Sequence, residues 1–370
     1  MELIGCTYNV LATMPEPIRF QGQYERMSRI PLAIERFVDT IEHLDFIVVQ
    51  ELISSEAHHI LSVGLYNLGF IYETDQLVGD LSALKIVQGG LVLFSRFPII
   101  DHKTKVFDGV CSREDCLSAK GAVYARIDKF GQMFNVFSVH VQAWESEASR
   151  NVRRNQFLQM KRFMSDMNIP ESEPLVILGD FNIDMFSEQK QLQRMVKCLD
   201  AELLPKHPDS HPFTSDPSTN TLMGVDDATS YSSPSFPIGC EDEYLKTGRC
   251  ICCPCEWLDY ALYSKKHAPL NKNQSYMRAI PLKSDPFISN LTWTNKREIR
   301  DLSDHYPLLC KFVFPSLKPK VFQLAPYIHY PKRKKVVEPL LFNLSFFIVL
   351  AVFIAITALF IIWMLVKAKH

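Results

Sequence analysis

The chain has 370 residues, 47% of them hydrophobic, and a formal net charge of −1 at pH 7. That length holds one large domain or two ordinary ones, and the apolar share supports a sizeable core. A charge so close to zero gives no general attraction for nucleic acid, so no nucleic-acid partner is expected and a soluble nuclease is disfavoured.

Met1 to Phe20 mix polar residues with two prolines and show no basic start followed by an apolar stretch, so no secretory signal is read and the catalytic part is expected in the cytosol. The ten cysteines are then expected to be mostly reduced, and the clusters Cys111/Cys116 and Cys250/Cys252/Cys253/Cys255 are not read automatically as disulfides. The sequons at Asn273 and Asn290 keep a lumenal or extracellular placement open.

Taken in chain order, short β-branched and aromatic runs alternate with helix-like stretches. The first run closes on Thr7-Tyr8-Asn9, where the Asn9 amide could hydrogen-bond a metal-bound water or a phosphate. A helix is expected over Met27 to Glu42. The buried strand Phe46 to Val49 follows, and Gln50-Glu51 at its end delivers a carboxylate suited to a hard divalent cation such as Mg²⁺.

Strands are expected again at Gly90 to Ser95 and at Phe134 to Val139, the latter ending on His140, a candidate donor to charge building on a phosphate. A helix over Ser149 to Asp166 leads to the strand Leu175 to Leu178 and the motif Gly179-Asp180-Phe181-Asn182. Alternation about Phe181 puts Asp180 and Asn182 on one face, to orient water and grip a phosphoryl oxygen, although an Asx turn accounts for the same residues.

Pro205 to Pro254 is rich in Ser, Pro, Asp, Thr and Gly and reads as irregular loops. Asp259, opening another apolar strand, is the candidate to fix the tautomer of His305 in Ser303-Asp304-His305, so that His305 can take a proton from water attacking phosphorus. The pattern is a layered α/β domain over residues 1–314, followed by a Pro/Lys-rich linker over 315–339.

The segment Leu340 to Val366 contains no charged residue. As a helix rising about 1.5 Å per residue it would reach roughly 40 Å against a hydrocarbon core of about 30 Å, so a C-terminal transmembrane helix is expected over 340–366, with a short basic tail at 367–370. Lys332 to Lys335 outweigh Lys367 and Lys369, which predicts a single-pass anchor with the catalytic domain on the cytosolic side of the bilayer.

The ordered set Tyr8-Asn9, Gln50-Glu51, Gly179-Asp180-Phe181-Asn182, Leu258-Asp259-Tyr260 and Ser303-Asp304-His305 resembles the endonuclease/exonuclease/phosphatase superfamily with its deoxyribonuclease I-like fold. Within it, Gly89 to Ile99, Leu117 to Tyr124, His140-Val141-Gln142-Ala143 and Asp259 to Ala268 are similar to the Mg²⁺-dependent neutral sphingomyelinases. The resemblance implies a four-layer α/β sandwich, two packed mixed β-sheets flanked by helices. It further implies Mg²⁺, replaceable by Mn²⁺ or Co²⁺, on Glu51 and Asn9 with Asp304 beside it, His305 as general base, Asp180 and Asn182 as positioners, and His140 as donor.

It also assigns Asp115, Lys120 and Trp293 to the substrate side, Trp293 where relatives carry an aromatic hairpin that enters lipid. The expected activity is hydrolysis of sphingomyelin to ceramide and phosphocholine at a membrane. Another superfamily phosphoesterase, a nuclease or a phosphoinositide phosphatase, or an inactive membrane scaffold, is the alternative. The sequence gives no oligomeric state.

Overall fold

The computed structural model describes residues 1–13, 22–38, 43–79, 87–109, 111–223, 255–290 and 296–320, all within one compact unit, Met1–Pro331. The chain opens with β1 (Glu2–Ala12), α1 (Gln23–Val38), β2 (Phe46–Leu52), α2 (Ser55–Asn67), β3 (Tyr72–Glu73) and β4 (Val92–Ser95). There follow β5 (Ile99–Val106), β6 (Gly121–Lys129), β7 (Gln132–His140), α3 (Glu147–Asp166), β8 (Leu175–Asp180), α4 (Gln189–Leu199), β9 (Ala201–Leu203) and β10 (Asp259–Ser264). The last strands are β11 (Tyr276–Ala279), β12 (Lys283–Asn290), β13 (Lys296–Asp301) and β14 (Leu308–Val313).

Two six-stranded sheets result, ordered β11-β14-β1-β2-β4-β3 and β5-β6-β7-β8-β10-β9, with a separate β12-β13 hairpin. Each large sheet is antiparallel except for one central parallel pair, β1 with β2 and β7 with β8. Strands covered on both faces need apolar residues on both, which is why β1 and β8 read as nearly continuous apolar runs.

The pleat divides the labour. Ile4, Cys6, Tyr8, Ile47 and Val49 pack with Met27, Ile30 and Ile34 of α1 and Leu61 and Leu65 of α2. Leu3, Phe46, Val48 and Leu93 share the other core with the second sheet, and Gln50 reaches across to Ser138 Oγ at 3.4 Å. On the far side of that sheet Phe137 meets Phe163 of α3 edge to face at 5.7 Å. The layers are thus helix, sheet, sheet, helix.

Two backbone positions shape the edge where the parallel pairs end. Gly179 has φ 151, and a Cβ there would lie 2.0 Å from Val139 O on the neighbouring strand. Gly179→Ala is therefore expected to lower the unfolding free energy by about 2–4 kcal/mol, read by chemical denaturation, through strain and a backbone clash that cannot relax sideways. Glu51 is the second, a non-glycine residue at φ 58.

The expected transmembrane helix is corrected. Among the described residues no helix is long and apolar enough to cross a membrane, and residues 340–366 lie outside them. The one described helix of spanning length, α3 with 20 residues, carries Arg150, Arg153, Arg154, Lys161 and Arg162 and packs one face on a sheet. No described helix therefore supports the single-pass C-terminal anchor.

Among the described cysteines one pair is oxidised. Cys111 and Cys116 form a disulfide, their Cα atoms 4.9 Å apart around a short 3-10 turn, whereas Cys6, Cys198, Cys255 and Cys310 are free thiols. Cys250, Cys252 and Cys253 lie outside the described residues.

Candidate active site

The polar residues of the site arrive by strand register. Asn9 stands opposite Gln50, His140 opposite Asp180, and Asp180 opposite Asp259, so both sheets present polar side chains at one edge. His305 precedes β14, which pairs with β1 through Thr7 and Leu308, and an antiparallel bridge to Ser215 fixes it from the other side. By simple alternation Glu51 would turn outward from the inward-facing Gln50. Its left-handed backbone breaks the alternation and brings its carboxylate within 3.8 Å of His140 Nε2.

Direct contacts join the two sheets. Asn9 Nδ2 donates to Asp180 Oδ2 at 3.1 Å, and His305 Nδ1 lies 2.8 Å from Asp259 Oδ2. His140 Nε2 sits 3.6 Å from Asp180 Oδ2 and accepts from the buried Lys120 ammonium at 2.8 Å. Lys120 in turn faces Asp115 Oδ1 at 3.5 Å, while Asp115 Oδ2 accepts from Gln142 Nε2 at 2.8 Å and Ala143 N at 2.7 Å. Ser303 Oγ lies 2.6 Å from Asn9 O and 3.1 Å from Asp304 Oδ1.

Burial sets the electrostatics. It pushes the Asp180 carboxyl up to about 7, with the charge of Asp259 adding to the effect. Burial likewise raises Glu51, and the charge of Asp304 reinforces it while Lys120 opposes. His140 is driven well below the usual histidine range, first by burial and then by the Lys120 charge, so it is neutral at pH 7. For His305 burial acts downward, but Asp259, Asp180 and Asp304 outweigh it and hold the imidazole well above that range.

Such a crowd of carboxylates suits a divalent cation. The charge of Asp304 raises Glu51, and among the described residues Asp259 Oδ1 is buried without a hydrogen-bond partner. Asp180, Asp259 and His305 also offer one ligand-type atom each within 4.8 Å of one another, a group able to hold a metal ion. Oxygen donors dominate, as Mg²⁺ and similar hard ions require.

The structure therefore brings Asn9, Glu51, His140, Asp180, Asp259 and His305 to one edge, with Lys120 and Asp115 behind His140. Asn182 joins them differently from the expected strand alternation. It lies past the end of β8 at φ 48, its N–H on Asp180 Oδ1 at 2.9 Å and its Nδ2 on Val141 O at 3.1 Å, so an Asx turn aims it. Trp293 lies outside the described residues.

Sequence reasoning missed three neighbours. Thr214 Oγ1 accepts from the N–H groups of Leu258 and Asp259 at 2.9 and 3.3 Å, locking the start of β10, yet it sits in a stretch read only as irregular. Gln142 clamps the disulfide loop through Ser112 as well as Asp115. Glu256 has its carboxyl pushed up to about 8 by burial and then by Glu145 and Asp184.

The chain is similar to known proteins. The sequence model described as the Endonuclease/Exonuclease/phosphatase family matches residues 6–305. Sphingomyelinase C 2 of Leptospira interrogans is 29% identical over 78% of this chain, and the chain spans only 42% of that protein's length. Sphingomyelinase C of Bacillus cereus is 28% identical over 82% of this chain and 86% of its own. Among solved structures, a beta toxin mutant of Staphylococcus aureus with bound magnesium ions superposes with a TM-score of 0.68, covering 84% of this chain and 99% of that one. At 22% identity this likeness speaks for the fold.

Proposed function

Because this chain belongs to the endonuclease/exonuclease/phosphatase family, we propose that it is a sphingomyelin phosphodiesterase that releases phosphocholine and leaves ceramide. The observation that carries the reading is the meeting of the His305–Asp259 pair, the Asn9–Asp180 link and the Glu51 carboxylate at one edge of the two sheets. The similarity to sphingomyelinases C supports the lipid substrate, and the catalytic domain is taken as residues 1–314.

In this reading Glu51 holds a divalent metal with Asn9 and Asp304 close by, and we take the ion to be Mg²⁺. When bound, the ion acts as a Lewis acid toward the phosphodiester oxygens. Asp259 fixes the ring so that Nε2 faces the attacking water, and His305 takes a proton in its neutral form, which the carboxylates of Asp259, Asp180 and Asp304 make the minor one until their charge is offset. Asp180 holds that water, and Asn182, fixed by Val141 O, contacts a phosphoryl oxygen. The ammonium of Lys120, accepted by Nε2 of neutral His140, acts on the charges of Asp180 and Glu51, so positive charge is in place where negative charge grows.

Headgroup release from a panel of phosphocholine lipids, with and without Mg²⁺, tests the proposal. Release from sphingomyelin only in the presence of the ion is the expected result; cleavage of nucleic acid or phosphoinositide instead would refute it. Lys120→Met is expected to lower kcat by about 10²-fold with a smaller change in KM, because the lost charge opposes negative charge that develops only in the transition state. Steady-state kinetics separate the two parameters.

A further inference from the structure

Two loops leave the catalytic edge carrying one aromatic ring each. Trp144, four residues after His140, is 44% exposed, and Phe186, four residues after Asn182, is 43% exposed. Neither is loosely held. Trp144 keeps a left-handed backbone, φ 73, which a bulky residue adopts only when its surroundings impose it.

The imposing group is Arg153. Fully buried, it donates from Nη1 to Gln142 O at 3.0 Å and to Trp144 O at 2.6 Å, while its Nη2 pairs with Glu188 at 2.9 Å. Glu188 sits two residues past Phe186 and also pairs with Arg150. Ser187 Oγ donates to Glu145 Oε1 at 3.3 Å, which ties the two loops side by side. Phe213 meets Phe186 edge to face at 5.6 Å. A buried ion pair thus braces the two neighbouring loops that carry these half-exposed rings.

We infer that Trp144 and Phe186 form a docking surface for a zwitterionic, phosphocholine-rich lipid surface next to the mouth of the site. The inference rests on the sphingomyelinase reading above: a scissile ester at headgroup depth requires the catalytic edge to lie against the lipid. Aromatic side chains favour that depth, being apolar bodies that tolerate a wet boundary. The charges beside Trp144 identify the kind of surface. Glu145 and Glu147 are exposed carboxylates there, whereas Asp184 and Glu188 next to Phe186 are buried and Glu188 is already paired with Arg150 and Arg153, so at the Trp144 loop anionic headgroups gain nothing whereas choline ammonium groups do.

The test uses the full chain with Trp144→Ala, Phe186→Ala and the double substitution, and compares two forms of substrate. One is sphingomyelin in phosphatidylcholine vesicles; the other is a short-chain sphingomyelin kept monomeric. The double variant is expected to lose about tenfold in rate on vesicles while staying within about twofold of the parent on monomer, with no recovery when phosphatidylserine is added. Unchanged vesicle rates overturn the inference, as do equal losses on both substrate forms, which would put the rings in the substrate pocket. Loss of self-association in sedimentation, with vesicle rates unchanged, overturns it in favour of a second copy of the chain. If the parent hydrolyses neither form, the activity reading has failed. Quenching of Trp fluorescence by brominated phosphatidylcholine, stronger in the parent than in Trp144→Phe, then still reports whether the surface meets lipid, and equal quenching in both overturns the inference.

Discussion

His305→Ala is expected to lower phosphocholine release by about 10²–10⁴-fold, the usual contribution of a positioned general base. Among the described residues the imidazole is the one basic nitrogen held by Asp259, and its removal leaves a buried carboxylate without that partner. That loss should also lower stability by about 1–3 kcal/mol, so the variant is compared with the parent well below its melting temperature. Asp259→Asn is expected to remove much of the same activity, because an amide at that position no longer selects the required tautomer. If the two act as one unit, the double variant will be no slower than His305→Ala alone, and additive losses would show that Asp259 works elsewhere. Near-normal hydrolysis by His305→Ala would end the assignment of the base.

Glu51→Gln should weaken divalent-metal binding by at least about 100-fold, since a hard cation of this kind is held by only one or two carboxylates. Calorimetric titration of metal into the protein reads the affinity, and the Mg²⁺ dependence of turnover should shift in parallel. A chelator should abolish activity in the parent, with recovery on adding the ion back. The metal-free protein supplies a check of opposite sign. Burial, with Asp304 adding to it, raises the Glu51 carboxyl above its unfolded-state pKa, so its ionisation opposes folding once pH climbs through the raised value. Without metal, Glu51→Gln should therefore be the more stable protein near neutral and alkaline pH, and a less stable variant would argue against a crowded carboxylate.

Much of the layered architecture could be read from the chain because buried strands announce themselves as short apolar runs with polar residues at their ends. Phe46 to Val49 and Leu175 to Leu178 did so, and Gln50-Glu51 and Gly179-Asp180 follow them directly. What those runs do not encode is direction. Glu51 faces the catalytic edge only because its backbone is left-handed, and Asn182 is aimed by an Asx turn after the strand has ended. Thr214 was invisible because a single hydroxyl in an irregular stretch has no periodic signature, although it secures the strand that carries Asp259.

Two readings were limited for identifiable reasons. The Cys111–Cys116 bridge depends on a tight turn bringing two Cα atoms close, which the expectation of mostly reduced cysteines, resting on compartment, does not address. The spanning helix was inferred from apolar length, a criterion that no described helix meets.

The slot between β11 and β1 is filled by β14, the last strand of the sheet, and His305 is attached just before it. During synthesis the first strand must therefore wait, with one edge open, until some three hundred further residues have emerged from the ribosome. A chain ending before this strand leaves β1 paired on one side only, an open edge that invites pairing with other chains until β14 arrives to close it.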